Sequence, residues 1–353
     1  MLEDLQSVDK MKNVIIISQG REVTGVNKYA TNLQSAFPDS SMLYFLKFRN
    51  EHGDYSIGET IYGKFHYGRS IFNLNSVFYR TAFSRASEML KDFKKSGSIV
   101  HVASPHVLPV VPDFDNIVTI HDVFPLLKEG KKSMEEKLIR RFYKHYLKYD
   151  RILTVTNHVK KTLEGMGVDR RIDTIYPSIS DRFRKLEDKK HLRELLSLPD
   201  KKLILSLSTN IPRKNLKVLP EIMERLGAGY RLVRVGDPLP GSINIRAENE
   251  EKLNMIYNAC DILISPSLDE GFGYPVAEGL KAGIGLVLSD IPVHREVAGR
   301  CANFFDTSDI SGAAKAIKDL ESFSAPNVAD RHTLIERFNP DRYKKNMSEY
   351  YQE

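Results

Sequence analysis

Cysteine and long apolar runs are both scarce in this sequence. Only Cys260 and Cys301 are cysteines, which is too few for a disulfide framework or a cysteine-based zinc site. No apolar run approaches the ~20 residues that a membrane-spanning helix needs. The residues before Val14 include acids and no apolar stretch, so we expect no signal peptide. These absences favour a cytoplasmic protein without a bound metal.

What is present is typical of a globular protein. The chain has 353 residues, of which 41% are hydrophobic and 28% charged, so a disordered or fibrous chain is excluded. At roughly 150 residues per domain, this length suggests two domains that each bury their own core.

The positive charge is concentrated in the first half. Residues 1–200 hold 32 basic and 25 acidic residues, whereas residues 201–353 hold 20 and 21, so the net charges are +7 and −1. This excess is either a solvated basic surface or a contact with something anionic, such as a membrane surface or a lipid-linked acceptor. Because no nucleic-acid-binding motif accompanies it, we do not expect a nucleic acid as partner.

Short β-branched runs alternate with segments of helical period in both halves, which predicts an α/β protein with parallel sheets. We predict two Rossmann-like domains that face each other across a cleft. The boundaries are 1–178 for the first domain, 179–200 for a charged linker with a short helix, 201–335 for the second domain, and 336–353 for a C-terminal helix that packs back on the first domain. Further predictions are helices over 77–93, 133–147 and 215–226, and an N-cap at Asn157.

The most informative segment is 269–278, which reads Asp-Glu-Gly-Phe-Gly-Tyr-Pro-Val-Ala-Glu and follows a predicted strand. Its glycines permit a tight loop, and Pro275 suits the first turn of a helix. We expect the amides that follow Pro275 to form an anion site at the helix start. Glu270 and Glu278 would then flank one phosphate and accept hydrogen bonds from sugar hydroxyls. The alternative is a solvated loop acid and a carboxylate that only complements the helix dipole.

A basic pair, Arg213-Lys214, lies between another predicted strand and its helix. At the carboxyl end of a strand, such a pair can neutralise a diphosphate. His121 follows a strand of the first half in the same way, where it is either a structural histidine or a hydrogen-bonding group for a sugar or acceptor.

The segment from Glu270 to Glu278 resembles the two-glutamate motif of retaining GT-B-fold glycosyltransferases, in particular family 4, or group 1. The resemblance extends to Lys281-Ala-Gly283, Ser289-Asp-Ile-Pro292 and Glu296-Val-Ala-Gly299. It covers most of residues 200–325 and the first half more thinly. An arginine that many family members carry shortly before the lysine is missing, because this region reads Ser208-Thr209.

The resemblance implies a nucleotide-diphospho-sugar donor held mainly by the second domain and an acceptor held mainly by the first, with no other cofactor. The residues that it assigns to catalysis are Glu270, Lys214, His121 and Arg213. Those that it assigns to donor binding are Gly25, Gly236, Gly271, Phe272, Gly273, Tyr274, Val276 and Glu278.

The expected reaction is metal-independent transfer of a hexose, of mannose or glucose type, to an acceptor hydroxyl with retention. The acceptor would be a glycan, a lipid-linked molecule or a small molecule. Two alternatives stay open at this point: a GT-B-like sugar-nucleotide epimerase, and a protein that binds a sugar nucleotide without catalysis. Contact with the inner face of the membrane also stays open.

Overall fold

The computed structural model describes residues 14–19, 25–39, 41–48, 54–60, 67–71, 98–106, 115–127, 134–322 and 328–353. Its internal contacts divide the chain into two units. One consists of the described residues up to Ser178 together with Tyr343–Glu353, and the other is Ile179–Arg342.

In the described part of the first unit, eight strands form one sheet in the order β4-β3-β2-β1-β5-β6-β7-β8. Strands β2–β4 pair in antiparallel fashion, and the other pairs are parallel. The strands are β1 Val14–Gln19, β2 Ser41–Phe48, β3 Asp54–Thr60, β4 Tyr67–Ile71, β5 Ile99–Val102, β6 Asp115–Ile120, β7 Arg151–Thr154 and β8 Arg171–Thr174. The helices are α1 Gly25–Ala36, α2 Phe124–Leu127, α3 Met134–Tyr146 and α4 Asn157–Gly165.

Helix α3 shows why this sequence forms an α/β layer. Phe142, Tyr143 and Tyr146 are fully buried and belong to the same apolar cluster as the strand residues Val118 and Ile152. Three basic residues of the helix, Lys137, Arg141 and Lys144, are exposed. One face of α3 therefore packs on its own sheet, as the helical period of its aromatic residues requires.

The second unit contains a parallel six-stranded sheet in the order β11-β10-β9-β12-β13-β14, counted over its described residues. Its strands are β9 Lys202–Ser208, β10 Tyr230–Gly236, β11 Ile243–Asn244, β12 Ile262–Ser265, β13 Gly285–Ser289 and β14 Asn303–Phe305. Its helices are α5 Lys189–Leu195, α6 Leu219–Leu226, α7 Glu250–Ala259, α8 Tyr274–Ala282, α9 Pro292–Ala298, α10 Ile310–Ser322 and α11 Val328–Glu336. Helix α12, Pro340–Gln352, begins in this unit and ends in the first.

Residues 179–200, which the sequence assigns to a linker, are part of the second unit. Their short helix is α5, and its Lys189 and Arg193 donate to the Asp261 carboxylate at 3.1 and 2.7 Å. Asp261 also accepts from the backbone N–H of Leu203 at 2.8 Å, at the start of the central strand β9. Lys189 and Arg193 therefore attach this segment to the second unit, which composition alone does not reveal.

Helix α12 is tied into the first unit by buried polar contacts. The Tyr351 hydroxyl lies 2.6 Å from Nδ1 of His101, whose Nε2 lies 2.7 Å from the Thr119 hydroxyl. The backbone carbonyl of Tyr350 accepts from the Arg151 guanidinium, which also stacks 4.5 Å from the centre of the Tyr350 ring. These contacts attach the end of the chain to strands β5–β7.

Other sequence predictions fail for local reasons. The helix predicted over 215–226 begins only at Leu219, because Asn215 has a left-handed φ of 51° and two 3₁₀ turns precede α6. The N-cap of α4 is Thr156, whose hydroxyl accepts from Val159 N, while Asn157 donates to the Tyr176 hydroxyl at 2.8 Å. The β3–β4 hairpin was not predicted. The helix predicted over 77–93 lies outside the described residues.

None of the helices in the described part of the chain combines the length and apolar character needed to cross a lipid bilayer.

The attachment of α12 leads to a stability prediction. Replacing Tyr351 with Phe leaves His101 short of one buried hydrogen bond, so the free energy of unfolding should fall by about 1–3 kcal/mol in urea titrations. The control Tyr176→Phe removes an exposed hydroxyl and should stay within about 0.5 kcal/mol of the wild type. Equal stability of Tyr351→Phe and the wild type would contradict the role of this contact.

Candidate active site

The second unit brings two loops together at one edge of its sheet. Strands β9 and β12 are neighbours and parallel, so the loops that follow Ser208 and Ser265 leave the sheet at the same edge. The backbone N–H of Leu268 in the second loop donates to the carbonyl of Arg213 in the first at 2.8 Å. This hydrogen bond fixes the spacing between the two loops.

A buried ion pair lies where these loops meet. The Lys214 ammonium is 2.6 Å from Oε1 of Glu270, and the nearest Arg213 nitrogen is 3.4 Å from Oε2. The Ser267 hydroxyl also donates to Oε1, at 2.7 Å. The structure thus brings together three of the four residues assigned to catalysis, with Glu270 only 7% exposed.

The cations determine the ionisation of Glu270. Burial raises the pKa of a carboxyl group, but the charges of Lys214 and Arg213, with a smaller contribution from His294, outweigh it and lower the pKa of Glu270 to about 2. Glu270 is therefore a carboxylate at neutral pH.

The loop from Gly271 to Val276 corrects one expectation about the anion site. Gly273 has a φ of +79°, so its carbonyl points into the first turn of α8 and accepts from the N–H groups of Val276 and Ala277 at 2.9 and 3.3 Å. The amides directly after Pro275 are therefore not available to an anion. Sequence could not show this, because the glycine conformation decides it.

The aromatic residues of the same loop pack inward. Phe272 is 4% exposed, and its ring makes edge-to-face contacts with Tyr274 and Phe338 at centroid distances of 5.2 and 5.4 Å. Val276 is also buried. Gly271 is buried beside Phe272. These side chains shape the loop, and any donor contact that they make would go through their backbone.

Glu278, one turn into α8, is only 3% exposed and accepts a hydrogen bond from the Tyr257 hydroxyl at 2.9 Å. Tyr257 lies near the end of α7 and is fully buried. Burial, together with the charge of Glu278, raises the pKa of Tyr257 well above its usual value. The tyrosine therefore stays a donor and fixes one carboxylate oxygen of Glu278.

At the end of β10, the backbone conformation and a close contact require glycine at position 236. Its φ is +114°, and a Cβ atom there would lie 2.3 Å from the carbonyl oxygen of Ser208. That carbonyl accepts from the buried Arg234 guanidinium at 2.6 Å, and Arg234 also donates to the Asp237 carbonyl. Gly236 thus allows the ends of β9 and β10 to approach closely.

The remaining two candidates lie in the first unit. His121 is buried after β6, and its Nε2 is 2.7 Å from the Ala103 carbonyl, so Nε2 carries the hydrogen. Burial lowers the pKa of His121 to about 4, which makes it neutral at pH 7. Gly25 is the exposed first residue of α1.

Sequence reasoning did not single out Tyr257, which contacts Glu278, or Ser267, which contacts Glu270. Ser267 lies two residues after the end of β12 and just before the motif, and this position was a usable signal. Tyr257 gave none, because an aromatic residue on a helix is usually a core residue.

Two family models match adjacent parts of the chain. The model described as "Glycosyltransferase Family 4" matches residues 23–183, and the one described as "Glycosyl transferases group 1" matches residues 187–337. The chain is a GT-B glycosyltransferase and belongs to family 4, or group 1, as its sequence motif indicates.

Curated relatives are mannosyltransferases. The chain is 24% identical to the O-antigen chain mannosyltransferase RfbU of Salmonella typhimurium strain LT2 over 267 residues, which are 68% of this chain and 69% of that protein. It is 26% identical to the serotype-specific mannosyltransferase WbdA of Escherichia coli over 239 residues, which are 57% of this chain but only 28% of WbdA.

Solved structures share the fold. Sucrose-phosphate synthase from Thermosynechococcus elongatus aligns with a TM-score of 0.76 at 15% identity, over 97% of this chain and 98% of that one. HepE from Anabaena, in complex with UDP and glucose, aligns with a TM-score of 0.73 at 12% identity, over 97% of this chain and 100% of that one. The pair of Rossmann-like units is therefore a GT-B fold.

The close approach at Gly236 predicts a large substitution effect. Gly236→Ala should lower the free energy of unfolding by about 2 kcal/mol or more, because the new Cβ atom displaces the Ser208 carbonyl and the positive φ is strained. Gly229→Ala is the matched control, since a Cβ atom there would meet nothing within 4 Å. Similar urea midpoints for the two variants would contradict this account.

The buried His121 predicts acid sensitivity of the first unit. Because the pKa of His121 is about 4 in the folded protein against an ordinary value of 6.5, its neutral form stabilises the fold fully above pH 6.5, and this stability is lost as the pH falls towards 4. Between pH 7 and 5 the loss from this residue should be about 2 kcal/mol.

The variant His121→Gln should weaken that pH dependence in urea unfolding at the two pH values. The exposed His191→Gln should retain it. A pH dependence of His121→Gln as steep as that of the wild type would show that His121 does not titrate as described.

Proposed function

We propose that the protein is a retaining hexosyltransferase that moves a sugar from a nucleotide-diphospho-sugar to a hydroxyl of a glycan or lipid-linked acceptor. The observation that carries this proposal is the convergence of Lys214 and Arg213 on Glu270 at the strand edge of the second unit. Two cations and a carboxylate in one small buried site can hold a diphosphate and the adjoining sugar at the same time.

Mannose is the sugar that we favour, with glucose as the alternative. RfbU and WbdA are described as mannosyltransferases, and their similarity to this chain extends over more than half of its length. The structural neighbours include a protein with UDP and glucose bound, which keeps a glucosyl donor open.

In this mechanism the second unit stabilises the leaving group. Breaking the sugar–phosphate bond places negative charge on the diphosphate, and cations that are already in position stabilise that charge at little reorganisation cost. Lys214 is only 16% exposed at its side chain, so its charge is poorly screened by water. Lys214 and Arg213 would supply this stabilisation without a metal ion.

Glu270 would orient the sugar. With a pKa of about 2, its carboxylate is a weak proton acceptor at neutral pH, so it is poorly suited to act as general base. Oε1 already accepts from Lys214 and Ser267, whereas among the described residues Oε2 has only the long contact to Arg213. We infer that Oε2 accepts a hydrogen bond from a sugar hydroxyl.

The acceptor hydroxyl would then attack from the face that the diphosphate leaves. Its proton passes to the departing phosphate oxygen as the new glycosidic bond forms and the sugar–phosphate bond breaks. This sequence retains the anomeric configuration and needs no covalent intermediate on Glu270. Glu278, held by Tyr257, would accept from the ribose hydroxyls of the nucleotide.

The first unit would bind the acceptor, with His121 as its candidate contact, while Gly25 would contribute to binding of the donor. Lys137, Lys144 and Lys148 are exposed on or just after α3, and their charge suits an anionic lipid headgroup or a lipid-linked diphosphate. We therefore propose a cytoplasmic enzyme that contacts the inner face of the membrane through this helix.

A donor screen tests the proposed reaction. Thermal shift with GDP-mannose, UDP-glucose and other sugar nucleotides should reveal one that raises the melting temperature, because a ligand that binds only the native state stabilises it. Incubation of that donor with acceptors, followed by NMR of the anomeric proton, should show retention. Inversion, or stabilisation by no sugar nucleotide, would refute the proposal.

The lysine is the sharpest single test. Lys214→Ala should reduce transfer at saturating donor by at least about 100-fold, since it removes the charge that stabilises the leaving diphosphate. Lys217→Ala changes an exposed lysine three residues on and should keep full activity. Circular dichroism should confirm that both variants are folded, and full activity of Lys214→Ala would eliminate the proposed diphosphate contact.

A further inference from the structure

A buried histidine lies behind the glutamate loop and has no part in the mechanism above. His294 occupies the first turn of α9 and is fully buried. Its Nδ1 is 2.9 Å from the Ser289 carbonyl, and its Nε2 is 3.3 Å from the Ser265 hydroxyl. The imidazole therefore connects the carboxyl ends of the neighbouring strands β12 and β13.

The hydrogen positions of this contact follow from its partners. A carbonyl oxygen only accepts, so Nδ1 of His294 must carry a hydrogen. Burial lowers the pKa of His294, and the positive end of α9 also disfavours a second proton. The ring is therefore neutral, its Nε2 is an acceptor, and the Ser265 hydroxyl donates to it.

A short route leads from His294 to Ser267. The Ser289 hydroxyl lies 3.1 Å from Nδ1 and donates to the Ser267 carbonyl at 2.5 Å. The imidazole thus restrains the backbone of Ser267.

Ser267 in turn restrains the carboxylate. Its hydroxyl donates to Oε1 of Glu270 at 2.7 Å, on the same oxygen that Lys214 contacts. A carboxylate held at Oε1 by two donors has a fixed plane, so the direction of Oε2 is fixed as well.

We propose that His294 is a positioning residue which, through Ser289 and Ser267, holds Glu270 in the orientation that recognises the transferred sugar. This inference rests on the proposed function, because it takes Oε2 of Glu270 to be the sugar contact. It predicts that His294 affects recognition of the sugar and leaves recognition of the nucleoside diphosphate to Lys214 and Arg213.

The test compares ligands with and without the sugar. In the wild type, titration calorimetry should give tighter binding of GDP-mannose than of GDP, or of UDP-glucose than of UDP. In His294→Phe, which keeps a ring of similar size, this advantage should disappear while the affinity for the nucleoside diphosphate stays within about 2-fold, and kcat should fall by about 10- to 100-fold. His332→Phe, an exposed histidine on α11, is the control and should retain both properties.

A role confined to stability would have a different signature, because a looser fold would weaken both ligands alike and leave the sugar advantage in place. That outcome would overturn the inference. A wild type with no sugar advantage and no transfer would instead overturn the proposed function, and this inference with it.

A double-mutant cycle covers the case in which His294→Phe folds poorly. Ser267→Ala removes the direct hydrogen bond to Glu270 and should reproduce the loss of the sugar advantage on its own. If His294 acts through Ser267, the double variant should lose little more kcat than either single variant. Independent, multiplicative losses, or a sugar advantage retained in Ser267→Ala, would contradict the proposal.

Discussion

The site depends on keeping one carboxylate charged inside a buried loop. An isolated carboxylate at the exposure of Glu270 would become protonated, because burial disfavours the charged form. Lys214 and Arg213 prevent this protonation. The backbone hydrogen bond between Leu268 and Arg213 holds their loop against the glutamate loop. The cost of burying this charge is thus offset by the same cations that we propose to bind the diphosphate of the donor.

This arrangement explains the role of several surrounding residues, which hold the elements of the site in place. Asp261 attaches α5 to the first residues of β9, Arg234 joins the ends of β9 and β10, and Tyr257 holds Glu278. None of them is required to touch a substrate. Each fixes an element that carries a group of the site, and such preorganisation lets weak individual contacts act together.

Much of this organisation could be predicted from the sequence. The strands 202–208, 262–265 and 285–289 were predicted with the bounds that the structure shows, because buried parallel strands are short apolar runs between turn residues. The resemblance to family 4 placed Lys214 and Glu270 in one catalytic site, and the rule that parallel strands end at one edge of a sheet agrees with it.

The failures have a common physical origin. The amides after Pro275 are occupied because of a backbone angle at Gly273, and α6 starts late because of one at Asn215. The role of His294 gives no local signal, since it depends on Ser265, which lies 29 residues earlier, as well as on the nearby Ser289. Backbone angles and long-range hydrogen bonds are not encoded in residue spacing, and pattern reasoning therefore misses them.

The return of α12 to the first unit has a consequence for biosynthesis. The hydroxyl that contacts Nδ1 of His101 belongs to Tyr351, which lies 250 residues later in the sequence. During translation, Ile179–Arg342 is synthesised before most of helix α12. The buried hydrogen bond of His101 in the first unit can therefore form only after the whole second unit has been synthesised.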